Sequence, residues 1–171
     1  QFQDGKGTMW DSSGGLPANC VRALGACGGK FYFWLCDSPH GNGGNGALYC
    51  FDPETRTLTN LISTRSTLIR NELDGGAPYP IEAILGDETR GCLWLGLGPY
   101  GKDVPGRLRR TALWRYDLKT GQVGRVERIP DIQCNALAWI DRCILAADMG
   151  AFLNLIMFDP STSQVSRLVG S

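Results

Sequence analysis

The chain has 171 residues, enough for one domain with a sizeable core. Its 43% hydrophobic and 20% charged residues exclude a disordered polymer. Lys plus Arg and Asp plus Glu stand at 17 each, so the basic excess that phosphate recognition needs is missing and no nucleic-acid partner is expected.

Gln1 opens the sequence with no Met and no basic-then-apolar leader, which reads as a processed end or, preferably, a cut from a longer chain. Residues 1–19 show no clear strand. No apolar run approaches the ~20 residues of a membrane-spanning helix, so no span is expected. From residue 20 onward, short apolar runs alternate with Gly, Asn, Asp and Pro, the pattern of strands and tight turns.

The first unit, 20–63, holds Val21-Arg22-Ala23-Leu24, then FYFWLC at 31–36, then a hairpin. Between them lies SPHGNGGNG, whose Asn-Gly and Gly-Gly pairs supply positive φ at a hairpin tip. His40 sits there alone, with no orienting partner that would make it catalytic. Residues 64–80 form an insertion in which TRSTLIRNEL can make a helical turn or two, and Asn71 to Gly76 loosely resembles a lactonase substrate loop but reads better as an inter-unit turn. The second unit, 80–128, holds Ile81-Glu82-Ala83-Ile84 and CLWLGL at 92–97. A second insertion, 98–110, carries Lys102 and Arg107 to Arg110, read as a solvated loop. The third unit, 132–170, holds Cys134-Asn135-Ala136-Leu137 and CILAAD at 143–148.

Each unit ends in the same eleven-residue pattern: LYCFDPETRTL at 48–58, LWRYDLKTGQV at 113–123 and LIMFDPSTSQV at 155–165. Apolar residues alternate into a turn opened by Asp, whose carboxylate accepts backbone N–H groups, and by Pro, which presets φ. Asp52, Asp117 and Asp159 are therefore turn formers and not a carboxylate cluster. They lie 65 and 42 residues apart, the longer interval holding both insertions. Four antiparallel strands repeated at this period predict an all-β fold of three four-stranded antiparallel β-propeller blades. Closed propellers generally have four to eight blades, so this one is partial or oligomer-completed. Further blades, from the same parent chain or from another copy, are the first expected partners.

Two family resemblances attach to these residues. GDETRGCLWLGLG followed by LWRYDLKTGQV resembles the blade repeat of two-component regulator propellers, with Leu97 where that family has Thr. Asn135-Ala136-Leu137-Ala138-Trp139 resembles the Asn-Gly-Leu-x-Trp segment of the regucalcin/gluconolactonase family of six-bladed lactonases, with Ala136 in place of Gly. That second resemblance implies a divalent metal held by Asn135 and a lactone-hydrolysing activity. Together the two cover about residues 70 to 171.

Arg22, Glu82 and Asn135 occupy one repeat position near the start of each unit's first strand, where a propeller's innermost strands face its channel. Burying them unpaired costs on the order of 1–3 kcal/mol, so a hydrated channel, an Arg22–Glu82 pairing or a ligand must satisfy them. The leading expectation is a non-catalytic segment that binds a protein or small ligand at the channel mouth and loops, without a cofactor. The alternative is a metal-dependent lactonase in which Glu82 and Asn135 give oxygen ligands to Ca²⁺ or another divalent ion. A structural assembly module is the third reading. No GxSxG, P-loop or HExxH occurs, and the Gly-rich run 41–46 lacks the Lys and helix of a phosphate cradle.

Seven cysteines, an odd number with no CxxC, argue against a zinc site or a full disulfide framework. Most lie in apolar runs and read as reduced, buried thiols, which favours a cytoplasmic location. Export would leave room for a Cys36–Cys50 bridge. The tryptophans form no ladder, with Trp34 and Trp94 in corresponding strands as core packing and Trp10 outside the repeat.

Overall fold

Three sheets of four antiparallel strands follow one another along the chain, each a simple meander. The computed structural model describes residues 2–3, 6–7, 20–36, 46–63, 81–97, 113–126, 134–148 and 154–169. Phe2–Gln3 (β1) pairs with Lys6–Gly7 (β2), a two-residue ladder where the sequence shows no strand pattern, too short for any apolar alternation to reveal it. The first blade runs Cys20–Cys27 (β3), Lys30–Cys36 (β4), Gly46–Asp52 (β5) and Thr57–Ser63 (β6). The second runs Ile81–Asp87 (β7), Cys92–Leu97 (β8), Leu113–Asp117 (β9) and Val123–Arg125 (β10). The third runs Ala136–Ile140 (β11), Cys143–Asp148 (β12), Asn154–Asp159 (β13) and Gln164–Val169 (β14). Among the described residues there is no helix. Residues 64–80 and 98–110, His40 and its hairpin tip, Asn71 to Gly76, the basic run 107–110 and Trp10 lie outside the described residues.

The three hairpin turns are built alike, for the reason the repeat suggests. Asp52 Oδ1 accepts from the N–H groups of Glu54 at 2.9 Å and Thr55 at 3.3 Å. Asp117 Oδ1 accepts from Lys119 N at 3.1 Å, Thr120 N at 2.8 Å and Thr120 Oγ1 at 2.9 Å. Asp159 Oδ1 accepts from Ser161 N at 2.8 Å and Ser161 Oγ at 2.6 Å. Four residues after each Asp the backbone turns left-handed, with φ of 56° at Arg56, 70° at Gly121 and 57° at Ser163. One cation reaches each carboxylate: Lys30 to Asp52, Arg115 to Asp117, Arg142 to Asp159.

Alternation along the strands gives every blade two apolar faces, and the core lies between blades. Tyr32, Trp34, Leu48 and Cys50 of the first blade meet Ile84, Leu93, Leu95 and Trp114 of the second. Cys92, Trp94 and Leu113 on the second blade's other face meet Cys134, Ile144, Ile156 and Phe158 of the third. Each such side chain contributes about 1.5–3 kcal/mol on burial, so blade stacking is the main source of cohesion. Trp34 and Trp94 stand in corresponding strands but two places apart in register, since Trp34 faces Ala23 and Trp94 faces Leu85.

The blades approach most closely along their first strands, β7 lying between β3 and β11. At Gly86 a Cβ would strike the carbonyl of Ala26, so only a glycine lets β7 come this near β3. Hydrogen bonds cross between blades here: Trp139 Nε1 donates to Gly86 O at 2.8 Å, Gly28 N donates to Glu88 Oε1 at 3.0 Å, and Cys134 N donates to Leu97 O at 3.2 Å.

The register does not set Cys36 and Cys50 opposite each other, as a bridge across this hairpin would need. Cys36 stands opposite Gly46, while Cys50 stands opposite Tyr32, four residues along the same hairpin. Cys50 is a free, buried thiol, as are Cys27 and Cys92, Cys134 is buried, and Cys143 is free and half-buried.

Candidate functional site

The first strands of the first and second blades begin with a local irregularity. In the first blade Val21 faces Leu35 and Ala23 faces Trp34, so Arg22 is the extra residue of a β-bulge. In the second, Ile81 faces Leu97 and Ala83 faces Gly96, so Glu82 is the extra residue of the matching bulge. In the third, Asn135 takes the equivalent place just before β11, its N–H donating to Ala147 O at 3.0 Å. Bulges redirect side chains and recur next to functional sites. The apolar-polar-Ala-apolar run shared by the three segments was the only trace of them in the sequence, because strand alternation alone assigns the polar residue to a face.

The structure brings Arg22 and Glu82 together: Arg22 Nη2 lies 2.8 Å from Glu82 Oε1, joining the first blade to the second. Both side chains are largely but not fully covered. Burial pushes the Glu82 carboxyl above its ordinary range, against the opposing pull of the Arg22 charge and hydrogen bond. Asn135 takes the same backbone place one blade further on, and its position is repeat-equivalent rather than in the ion pair.

This donor set does not fit a divalent cation. Calcium takes six to eight oxygens, and Glu82 offers a carboxylate whose Oε1 is held by a guanidinium that would repel the ion. Among the described residues no group of three or more His, Cys, Asp or Glu is placed to hold a metal. Burial raises the Cys27 and Cys92 thiols and keeps them protonated, so neither is an activated nucleophile.

A second polar cluster went unnoticed in the sequence. Asp87, at the end of β7 and buried, accepts from Trp94 Nε1 at 3.1 Å, from Arg90 N at 3.0 Å and from an Arg90 guanidinium N–H at 3.0 Å. All three groups fall within GDETRGCLW, and the Asp closes a strand end and pins a core Trp. This is structural chemistry, fully satisfied and turned inward. The N–H of Trp114, by contrast, is buried without a hydrogen-bond partner.

No protein-family model matches the sequence, and no curated protein matches it closely. Solved structures do match. TolB from Acinetobacter baumannii superposes over 88% of this chain with a TM-score of 0.58 at 13% identity. YjhT gives a TM-score of 0.57 over 92% of the chain at 14% identity. An oligogalacturonate lyase solved with manganese gives 0.55 over 86% at 10% identity. TolB, YjhT and the lyase are β-propeller proteins. The fold is a partial β-propeller. The chain spans 32% of TolB, 53% of YjhT and 41% of the lyase, so it matches part of a propeller in each. At these identities the likeness concerns the fold alone. The computationally designed protein Ika4 gives a TM-score of 0.54, with 92% of this chain covering 76% of that one.

Proposed function

We propose that the chain is a non-catalytic propeller segment that binds a protein or a small polar ligand at the blade ends where β3, β7 and β11 begin. The observation behind this reading is the pair of repeat-equivalent bulges that carry Arg22 and Glu82 into contact at 2.8 Å, with Asn135 as third member of the row. A guanidinium has five N–H donors, and one contact through Nη2 leaves others for an incoming carboxylate or carbonyl. Glu82 orients that guanidinium, and Asn135 adds both a donor and an acceptor. Nothing in the row activates water or a nucleophile, which supports binding over hydrolysis.

Thermal melting with a panel of small carboxylates and amino acids tests the reading, because a ligand that binds only the folded state must stabilise it. Stabilisation of the native chain that disappears in Arg22→Gln is the expected result. A calcium-dependent rise in melting temperature accompanied by lactone hydrolysis would replace this reading with the metal-dependent lactonase one.

A further inference from the structure

The repeat allows equivalent positions to be compared in three blades, and the comparison isolates two surfaces. Toward the blade before it, the second blade presents Ile81 and Ile84, which are 2% and 7% exposed. Ile84 sits so close to β3 that a Cβ on Gly25 would lie 2.7 Å from its Cγ2. The same two positions in the first blade are Val21 and Leu24, and they are 57% and 65% exposed. Phe31, whose strand pairs with β3, is exposed beside them. The outer part of that face is already closed, with Leu35, Ala47 and Tyr49 buried around Phe33. The free part is thus a strip along β3.

Toward the blade after it, the first blade presents Ala23, Gly25 and Cys27, with Cys27 3% exposed. The equivalents in the third blade are Ala136, Ala138 and Ile140, all exposed, Ile140 at 45%. Cross-strand pairing continues this face through Leu145 to Met157, and neither is fully buried. None of these positions carries a charge. An apolar sheet face of this kind marks an interaction surface.

We propose that the free strip on β3 of one copy docks on the free face of β11 in a second copy, and the reverse, so that two chains close one six-bladed ring. The arrangement already exists inside the chain: Ile84 of β7 packs against β3, and Leu24 over Ala138 of β11 follows it at the wider spacing seen between β7 and β11, since Ala138 and Ala26 carry the Cβ atoms that Gly25 and Gly86 lack. A second copy supplies both missing halves at once, and two head-to-tail contacts of three blades each make six, within the range of closed propellers. The inference is independent of what the Arg22, Glu82 and Asn135 row binds.

Sedimentation of the purified chain should show a species of twice the chain mass. Leu24→Asp spoils one half of the contact and Ala138→Arg the other, so each variant alone should run as a folded monomer. Mixed in equal amounts they should restore the dimer, because one contact is then native and the other pairs Asp with Arg. Far-ultraviolet circular dichroism confirms that each variant is folded; Leu24→Asn replaces Leu24→Asp, and Ala138→Gln replaces Ala138→Arg, where one is not. A chain that is monomeric at every concentration overturns the proposal. A dimer that survives Leu24→Asp but not Ala138→Arg would mean face-to-face pairing of two third blades, and a mixture that stays monomeric would exclude the head-to-tail contact; either result overturns it.

Discussion

Trp94 and Trp114 stand on adjacent strands of the second blade, and only Trp94 has a partner for its indole N–H. Trp94 Nε1 donates to the buried Asp87 carboxylate at 3.1 Å, whereas Trp114 Nε1 is buried with none. Replacing Trp by Phe removes similar apolar area in both places. Trp94→Phe also takes away one of the donors that satisfy a buried carboxylate. It should cost about 1–3 kcal/mol more than Trp114→Phe, measured as the difference in urea unfolding free energy. Equal costs would mean that Arg90 alone satisfies Asp87.

The left-handed turn position gives a second comparison. Gly121 meets it without strain, while Arg56 and Ser163 hold φ of 56° and 57° with a side chain attached. For a residue with a Cβ that conformation costs about 1–2 kcal/mol, partly offset in a glycine variant by the freer unfolded chain. Ser163→Gly should therefore raise stability by up to about 1 kcal/mol, and Gly121→Ala should lower it by about the same or more. Melting temperatures moving in opposite directions would be the sign. A Ser163→Gly chain that melts lower than the native one refutes the account.

These turns show why the fold was readable. Asp, Pro or Leu, and Thr act within four residues of one another, so their geometry is local and the thrice-repeated string carries it directly. The blade pattern followed from the same locality plus strand alternation. The site was only half readable. Arg22, Glu82 and Asn135 could be aligned, and their pairing could be named among several options, but the choice among them depends on how closely β3 approaches β7. That approach is set by Gly86 against the Ala26 carbonyl, a contact between residues 60 positions apart. Asp87 was overlooked for a related reason: in sequence it is one more turn carboxylate, and only the burial of the strand end makes it a core acceptor. The Cys36–Cys50 bridge failed on register, which sets Cys36 opposite Gly46 and Cys50 opposite Tyr32.

Acid should act on the hairpin turns. Hydrogen bonds to the carboxylates, from Thr120 foremost at Asp117 and from Ser161 foremost at Asp159, hold both below the ordinary value of 3.8. A depressed native pKa means the unfolded chain binds the proton more readily, so the contribution is complete above pH 3.8 and is lost as pH falls through the lower native value. Asp117→Asn should be less stable than the native chain at neutral pH, and the gap should narrow only below about pH 4. Melting curves from pH 2 to 7 measure it, and a gap that does not depend on pH would assign the turn's stability to shape instead of charge.

Glu82 works in the opposite direction. Burial raises its carboxyl above the ordinary 4.5 even though Arg22 pulls it down, so the native state holds the proton more tightly than the unfolded chain does. By linkage, its contribution to stability is largest below pH 4.5 and declines as pH rises through the raised native value, after which it is level. Glu82→Gln removes that titration while keeping an acceptor for Arg22. The native chain should therefore lose stability relative to Glu82→Gln on going from acid to neutral pH, the reverse of what the turn aspartates give. Unfolding free energies of the two proteins, taken at matched pH values across this window, isolate the term. If the native chain instead gains on the variant as pH rises, attraction to Arg22 outweighs burial, and the row of bulge residues is a preformed ion pair whose guanidinium is less available to a ligand than proposed.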